Sequence, residues 1–228
     1  MVLRLGERLI TNVVLDYDGV VANPDDLRLP GFDWMEIHAS LMQNITPEEI
    51  TGDNLDRLVS RYRSFARTMG YRRAYVKMGG TRAKYDEISN KLDRVGSIQY
   101  DEELAQLLLI LNAHARVSLF TGNNYRPIRG ALEVLLGASF RVLGNRIITA
   151  DRMIHEKPQR RAYAEMLVRY GMWPPSTVMI DDTPNELRSA GSVGLNAIWV
   201  NLGRDQEPPA TPFVIPRLKN LLEVLIPD

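Results

Sequence analysis

The sequence predicts an α/β protein, a doubly wound parallel sheet with an inserted α-helical cap. Three observations lead there. Short, continuously apolar runs end in polar turn residues, as strands buried on both faces do. Helical periodicities alternate with those runs, the pattern of a parallel sheet covered on both sides. Residues 24–98 break the alternation and read as helices with no clear parallel strand.

Taken in order, residues 12–16 (Asn-Val-Val-Leu-Asp) form the first strand and lead into Tyr-Asp-Gly, a turn. Helices are expected over roughly 33–44, 47–69 and 81–95, with Thr46 capping ahead of Pro47, Glu48 and Glu49 and a break at Gly79-Gly80. Asp101–Ala113 places Leu104, Leu107, Leu108 and Leu111 on one stripe, and Val117–Phe120 is the next strand. Residues 126–136 carry Ile128, Leu132 and Leu135 on a helical face, and Phe140–Leu143 is a weaker strand. Pro158–Tyr170 is a helix with Pro158 at its first position and Tyr163, Met166 and Leu167 inward. Thr177–Ile180 and Ala197–Val200 are strands, and Asp182 or Thr183 caps the helix Pro184–Ser192 between them. The domain reading is a core of 1–23 and 99–228 with a cap of 24–98.

Composition narrows the function. A chain of 228 residues buries about 70% of its unfolded surface and needs no disulfide or zinc staple. It has no cysteine and three histidines, which excludes thiolate catalysis and cysteine metal sites and disfavours a histidine-rich one. His38 and His114 read as helix-surface residues, His155 as a loop residue, and Trp34, Trp173 and Trp199 as packing residues. No apolar stretch approaches a membrane span, and Arg4, Glu7 and Arg8 interrupt any signal-like segment. A soluble, cytoplasmic protein is expected, without a membrane partner. Net charge is zero, so no global field recruits nucleic acid. Locally, Arg57 to Lys84 holds nine basic residues and no acidic one. That run reads as a solvated helix face, as a funnel for small phosphates, or as a nucleic-acid groove interleaved with tyrosines; the last is the least favoured.

Ligands of such sheets bind outside the carboxyl ends of the strands. Asp16, Thr121 and the pair Asp181-Asp182 fall there, with Lys157 between the second and third of these stations. Asp16 and Asp182 suit a hard, oxygen-seeking cation of the Mg²⁺ type. An aspartate also serves as a nucleophile toward a phosphoryl group, and Asp18 is placed to exchange protons with the leaving oxygen and with water. Thr121, with the N–H groups after it, and Lys157 suit phosphate oxygens.

Leu15-Asp16-Tyr17-Asp18-Gly19-Val20, Phe120-Thr121-Gly122-Asn123, Lys157-Pro158 and Ile180-Asp181-Asp182 resemble the four motifs of the haloacid dehalogenase-like superfamily of phosphatases. The resemblance implies a Rossmann-like core and an aspartyl-phosphate mechanism. Asp16 is then the nucleophile and Asp18 the general acid/base. Thr121 and Lys157 then bind phosphate, and Gly122 and Asn123 beside Thr121 are candidate substrate-binding residues. The implied cofactor is Mg²⁺, held by Asp16, the Asp18 carbonyl and Asp182, with Asp181 acting through water. Asp18 separates the chain from dehalogenases, which lack it, and favours a phosphatase or phosphomutase. The insertion is the cap type used against small phosphorylated metabolites, and segment 104–136 looks closest to the pyrimidine 5′-nucleotidase-like branch, pointing toward nucleoside monophosphates. Residues 213–226 look like that family's last strand and helix. A non-catalytic member whose cap binds a partner is the class outside catalysis.

Overall fold

The structure is a computed structural model that describes residues 2–22, 34–45, 52–91, 98–203 and 206–227. An N-terminal hairpin of β1 (Leu3–Leu5) and β2 (Arg8–Ile10) precedes β3 (Asn12–Leu15). Four helices follow: α1 (Trp34–Gln43), α2 (Gly52–Met69), α3 (Tyr71–Lys77) and α4 (Arg82–Asn90). Strands and helices then alternate as α5 (Glu102–His114), β4 (Arg116–Thr121), α6 (Tyr125–Leu136), β5 (Ile147–Thr149), α7 (Arg160–Tyr170) and β6 (Thr177–Asp181). The chain finishes with α8 (Pro184–Gly191), β7 (Asn196–Val200), β8 (Val214–Ile215) and β9 (Leu225–Pro227).

Six strands form one parallel sheet in the order β5-β4-β3-β6-β7-β8. Strand side chains alternate between two layers. Val13, Leu15, Val117, Leu119, Val178 and Ile180 join Leu104, Leu108, Ile128 and Leu132 of α5 and α6. Val14, Phe120, Met179 and Trp199 join Tyr163, Met166 and Leu187 of α7 and α8. Coverage of both faces is why the strands are apolar at successive positions, each buried aliphatic side chain contributing about 1.5–3 kcal/mol. The helices α1–α4 carry a separate apolar cluster, with Leu41, Val59, Tyr62, Ala74, Tyr75 and Tyr85 at its centre. Among the described residues, no helix is long and apolar enough to cross a membrane.

Several expectations need correction. Phe140–Leu143 is not a strand but belongs largely to a 3-10 turn over Gly137–Val142. Gly137 and Gly144 bracket it at φ +52° and +51°, left-handed backbone that breaks an extended path. The edge strand is instead Ile147–Thr149. Pro158 does not start α7: the Gln159 N–H donates to the Glu156 carbonyl (2.9 Å), so Pro158 lies within a turn. The end of the chain carries no final α-helix. Leu218–Glu223 is a 3-10 turn, and β9 then pairs antiparallel with β1, Leu5 opposite Leu225. That pairing buries Leu225 and completes a small sheet β2-β1-β9.

His38 is 2% exposed, set between Tyr62 (5.2 Å) and Tyr71 (5.4 Å), because α1 turns it into the tyrosine cluster and away from solvent. Trp173 is 69% exposed, while Trp199 is buried as expected and its indole N–H donates to the Asp182 carbonyl (3.1 Å). The long helix expected over 47–69 appears as α2 and is parted from α3 by Gly70 at φ +88°. The proposed cap at Thr46 with 47–49, and the side chain of Trp34, lie outside the described residues.

Candidate active site

Strand register assembles the site. Central β3 pairs with β4 on one side and β6 on the other, Leu15 opposite both Leu119 and Ile180. Asp16 follows Leu15, and its N–H donates to the Ile180 carbonyl (2.9 Å). It therefore emerges level with Asp181, the last residue of β6, and with Phe120, one residue short of Thr121 at the end of β4.

Lys157 reaches into this edge. Its ammonium donates to Asp16 Oδ1 (2.8 Å), Asp181 Oδ2 (2.8 Å) and the Phe120 carbonyl (3.3 Å), and it also pairs closely with Glu186 Oε2. Burial disfavours its charge, yet Asp16, Asp181 and Glu186 together hold its pKa well above the ordinary lysine value. Burial also pushes the Asp16 carboxyl well up; Lys157 opposes that shift, while Asp181, Asp18 and Asp182 add to it. Glu186 is raised well above its usual range by burial and then by Asp181, against Lys157. Both Asp181 oxygens are engaged by protein, Oδ2 by Lys157 and Oδ1 by the Thr183 N–H (2.9 Å).

The turn after Asp16 is fixed by its backbone. The Ala22 N–H donates to the Tyr17 carbonyl (2.8 Å) and the Gly19 N–H to the Ala22 carbonyl (2.9 Å). Gly19 adopts φ +80°, and a Cβ there would stand 2.3 Å from Asp182 Oδ2. Glycine is thus required for the Asp182 carboxylate to lie against the turn that carries Asp18. Asp18 Oδ2 accepts from Asn123 Nδ2 (2.5 Å), which also donates to Thr121 Oγ1 (2.8 Å). Beside Gly122 a Cβ would meet nothing within 4 Å, so the loop between Thr121 and Asn123 borders open space.

All the residues expected from the sequence therefore stand at one edge of the sheet: Asp16, Asp18, Thr121, Gly122, Asn123, Lys157, Asp181 and Asp182. Sequence reading missed Glu186. In the first turn of α8 it reads as an acid complementing the helix dipole, and only the fold brings it against Lys157. Asp16, Asp181 and Glu186 offer carboxylate oxygens that all lie within 4.8 Å of one another. Three carboxylates around one ammonium leave two uncompensated negative charges when all are ionised. Lys157 occupies the middle of that trio, whereas Asp16 and Asp182, whose carboxylate lies against the turn that carries Asp18, are the oxygen donors that suit a hard divalent cation of the Mg²⁺ type.

The helices α1–α4 abut this edge. Tyr71 is 40% exposed, stacked on His38, and its phenol is raised by burial and by the Asp18 carboxylate. Arg72 is 2% exposed and pairs with Glu156 (2.9 Å), the residue before Lys157. Asn124 donates to Asp86 (3.2 Å), and Asn185 to the Arg67 carbonyl (3.0 Å). Of the basic run, Arg57, Arg61, Arg63, Arg67, Arg73, Lys77 and Arg82 are exposed. Lys84 is half-buried, and Arg72 alone of the nine is buried.

The carboxyl edge of the parallel sheet thus gathers Asp16, the buried Lys157 and the acidic end of β6. The family model for haloacid dehalogenase-like hydrolases matches residues 13–200, and the chain belongs to that family. A phosphoserine phosphatase of Thermus thermophilus is 29% identical over 98 residues, 42% of this chain and 39% of that protein. The chain thus spans less than half the length of that relative. Among solved structures, a HAD phosphatase from Thermococcus onnurineus aligns at TM-score 0.61 with 20% identity, covering 94% of this chain and 97% of that one. CbbY from Rhodobacter sphaeroides in complex with phosphate aligns at 0.58 with 17% identity, covering 93% and 96%. A HAD-family enzyme of Bacteroides thetaiotaomicron in complex with magnesium and inorganic phosphate aligns at 0.52 with 16% identity, covering 87% and 98%.

Proposed function

We propose that this hydrolase is a Mg²⁺-dependent phosphatase that cleaves a small phosphomonoester through an aspartyl-phosphate on Asp16, with α1–α4 as its cap. The observation that carries the reading is Lys157, which binds Asp16 and Asp181 together at the carboxyl edge while Asp18 is held by Asn123. The phosphatase, phosphate and magnesium named for its relatives agree with it.

Each residue has a defined task. An Asp16 carboxylate oxygen attacks phosphorus, and the phosphorus–ester oxygen bond breaks. Asp18 supplies the proton that the leaving alkoxide takes. Water then attacks the same phosphorus, Asp18 accepts its proton, and inorganic phosphate leaves with Asp16 restored. Lys157 and the Thr121–Asn123 loop orient and neutralise phosphate oxygens, charge stabilisation that gains strength in a water-poor site. Asp16, Asp182 and the Asp18 carbonyl would hold the cation, which would supply positive charge against the same oxygens. The α1–α4 helices cover the site, excluding water and selecting a phosphorylated metabolite such as a nucleoside monophosphate. The enzyme works without nucleic-acid or membrane partners, in the cytoplasm.

Steady phosphate release from an aryl phosphate, dependent on Mg²⁺ and lost on chelation, is the expected result. Isomerisation of a sugar phosphate with little free phosphate would replace the hydrolase with a mutase. No reaction with any phosphate ester would leave the partner-binding reading.

A further inference from the structure

We propose that Arg72 and Glu156 are positioning residues: together they make the docked cap hold the catalytic lysine and the loop that orients Asp18. The inference rests on the phosphatase reading above. The guanidinium of Arg72 uses each of its three nitrogens on a different element. Nε donates to Glu156 Oε1 (2.9 Å), Nη2 to the Ala150 carbonyl at the end of β5 (2.5 Å), and Nη1 faces Asp86 of α4 (3.7 Å).

Two of those partners lead directly into the site. Glu156 immediately precedes Lys157, whose ammonium joins Asp16 to Asp181. Ala150 donates its N–H to the Asn123 carbonyl (3.0 Å), and the Asn123 side chain holds Asp18. One buried cap residue therefore touches the neighbours of both the phosphate-binding lysine and the proton-transfer aspartate.

The fit around this joint is close. Gly70, just ahead of Arg72, lies so near the lysine loop that a Cβ there would stand 2.6 Å from the Lys157 carbonyl. Gln159 donates to the Met69 carbonyl (2.9 Å). With Arg72 and Glu156 both almost fully buried, their charges have no hydration to fall back on, so undocking the cap releases the lysine loop rather than exchanging one hydrogen bond for another. A lysine at position 72 cannot reproduce a planar fork that serves three directions.

Removing one charge strands the other in the interior and risks unfolding. The test is therefore the double variant Arg72→Met/Glu156→Met, with Arg72→Lys beside it, both measured in full-length protein with Mg²⁺. The substrate is p-nitrophenyl phosphate, and amide hydrogen exchange is followed at 121–125 and 155–159. The proposal expects kcat to fall by up to about 100-fold, the cost of a shift near 1 Å, with faster exchange at both segments and no recovery in Arg72→Lys. Wild-type kcat with wild-type exchange at 121–125 and 155–159 overturns it. So does a lower melting temperature whose faster exchange is confined to 71–77, which marks a mere structural tie. If wild type hydrolyses no phosphate ester, the functional reading fails, and the exchange comparison still decides the positioning claim.

Discussion

Replacing Lys157 with methionine removes the ammonium that pairs with Asp16, Asp181 and Glu186. Its side chain is 2% exposed and that of Asp181 0%, so water cannot take over. Breaking a buried pair by deleting one partner costs about 3–5 kcal/mol, because the remaining charge is left uncompensated. For a chain of this size, at about 2–4 °C per kcal/mol, the melting temperature should drop by about 6–20 °C. The effect depends on pH in a defined sense. Lys157 is raised in the fold, so its contribution is fully present below its ordinary pKa, about 10.4, and is lost only as pH rises through the folded value. Across pH 5–8 the wild type keeps it. In the variant, Asp16 and Glu186, already raised by burial, lose the cation that opposed the shift. Groups with raised carboxyl pKa values stabilise the fold when protonated and lose that contribution as pH rises. The deficit should therefore shrink toward pH 5 and widen toward pH 8. Adding Glu186→Gln should recover about 1–2 kcal/mol, the coupling expected of neighbours. Thermal unfolding by circular dichroism reads all three. A loss under about 1 kcal/mol, or one independent of pH, would refute the claim that Lys157 is the counter-ion of this cluster.

Three further outcomes follow from the same geometry. Gly19→Ala places a Cβ 2.3 Å from Asp182 Oδ2 at φ +80°; with Asp182 driven back by about 1 Å to reach contact distance, kcat should fall about 100-fold, whereas unchanged turnover would show that the approach is not needed. Asp181→Asn, acting through water, should weaken Mg²⁺ binding about 10–100-fold, and Asp182→Asn more than that, while Asp181→Asn brings the greater loss of stability, since Asp181 partners Lys157; metal titration and melting in the reverse order would transfer the ligand role. Mg²⁺ should raise the melting temperature more at pH 8 than at pH 5, because it competes with protons on carboxylates whose pKa values are raised; an equal shift at both values would separate the metal from the cluster.

The strand ends were legible because their chemistry is local. An apolar run closing on Asp16, Thr121 or Asp181 announces both a buried strand and a polar edge, and parallel register does the rest. The N-terminal hairpin over Leu3-Arg4-Leu5-Gly6-Glu7-Arg8-Leu9-Ile10 was missed, its charges having been weighed only against a signal segment, and its third strand comes from Leu225–Pro227, a pairing across the chain that periodicity does not encode. Glu186 and Glu156 were hidden for another reason. Each reads as ordinary surface charge until tertiary packing buries it against Lys157 or Arg72. Arg72 stood among exposed arginines at helical spacing, and nothing in that run distinguishes the one that turns inward. Phe140–Leu143 has strand-like composition, overruled by glycines in left-handed backbone at either end.

Trapping the covalent enzyme tests the central claim most directly. The protein is mixed with an aryl phosphate and Mg²⁺, quenched in acid during turnover, digested with trypsin and analysed by mass spectrometry. The account predicts one phosphoryl group on the peptide spanning 9–28, at Asp16. It further predicts that Asp16→Asn yields neither this adduct nor free phosphate while melting near the wild-type temperature, because Asp181 and Glu186 still hold Lys157. A phosphoryl group on another residue, or phosphate release that persists in Asp16→Asn, would contradict it.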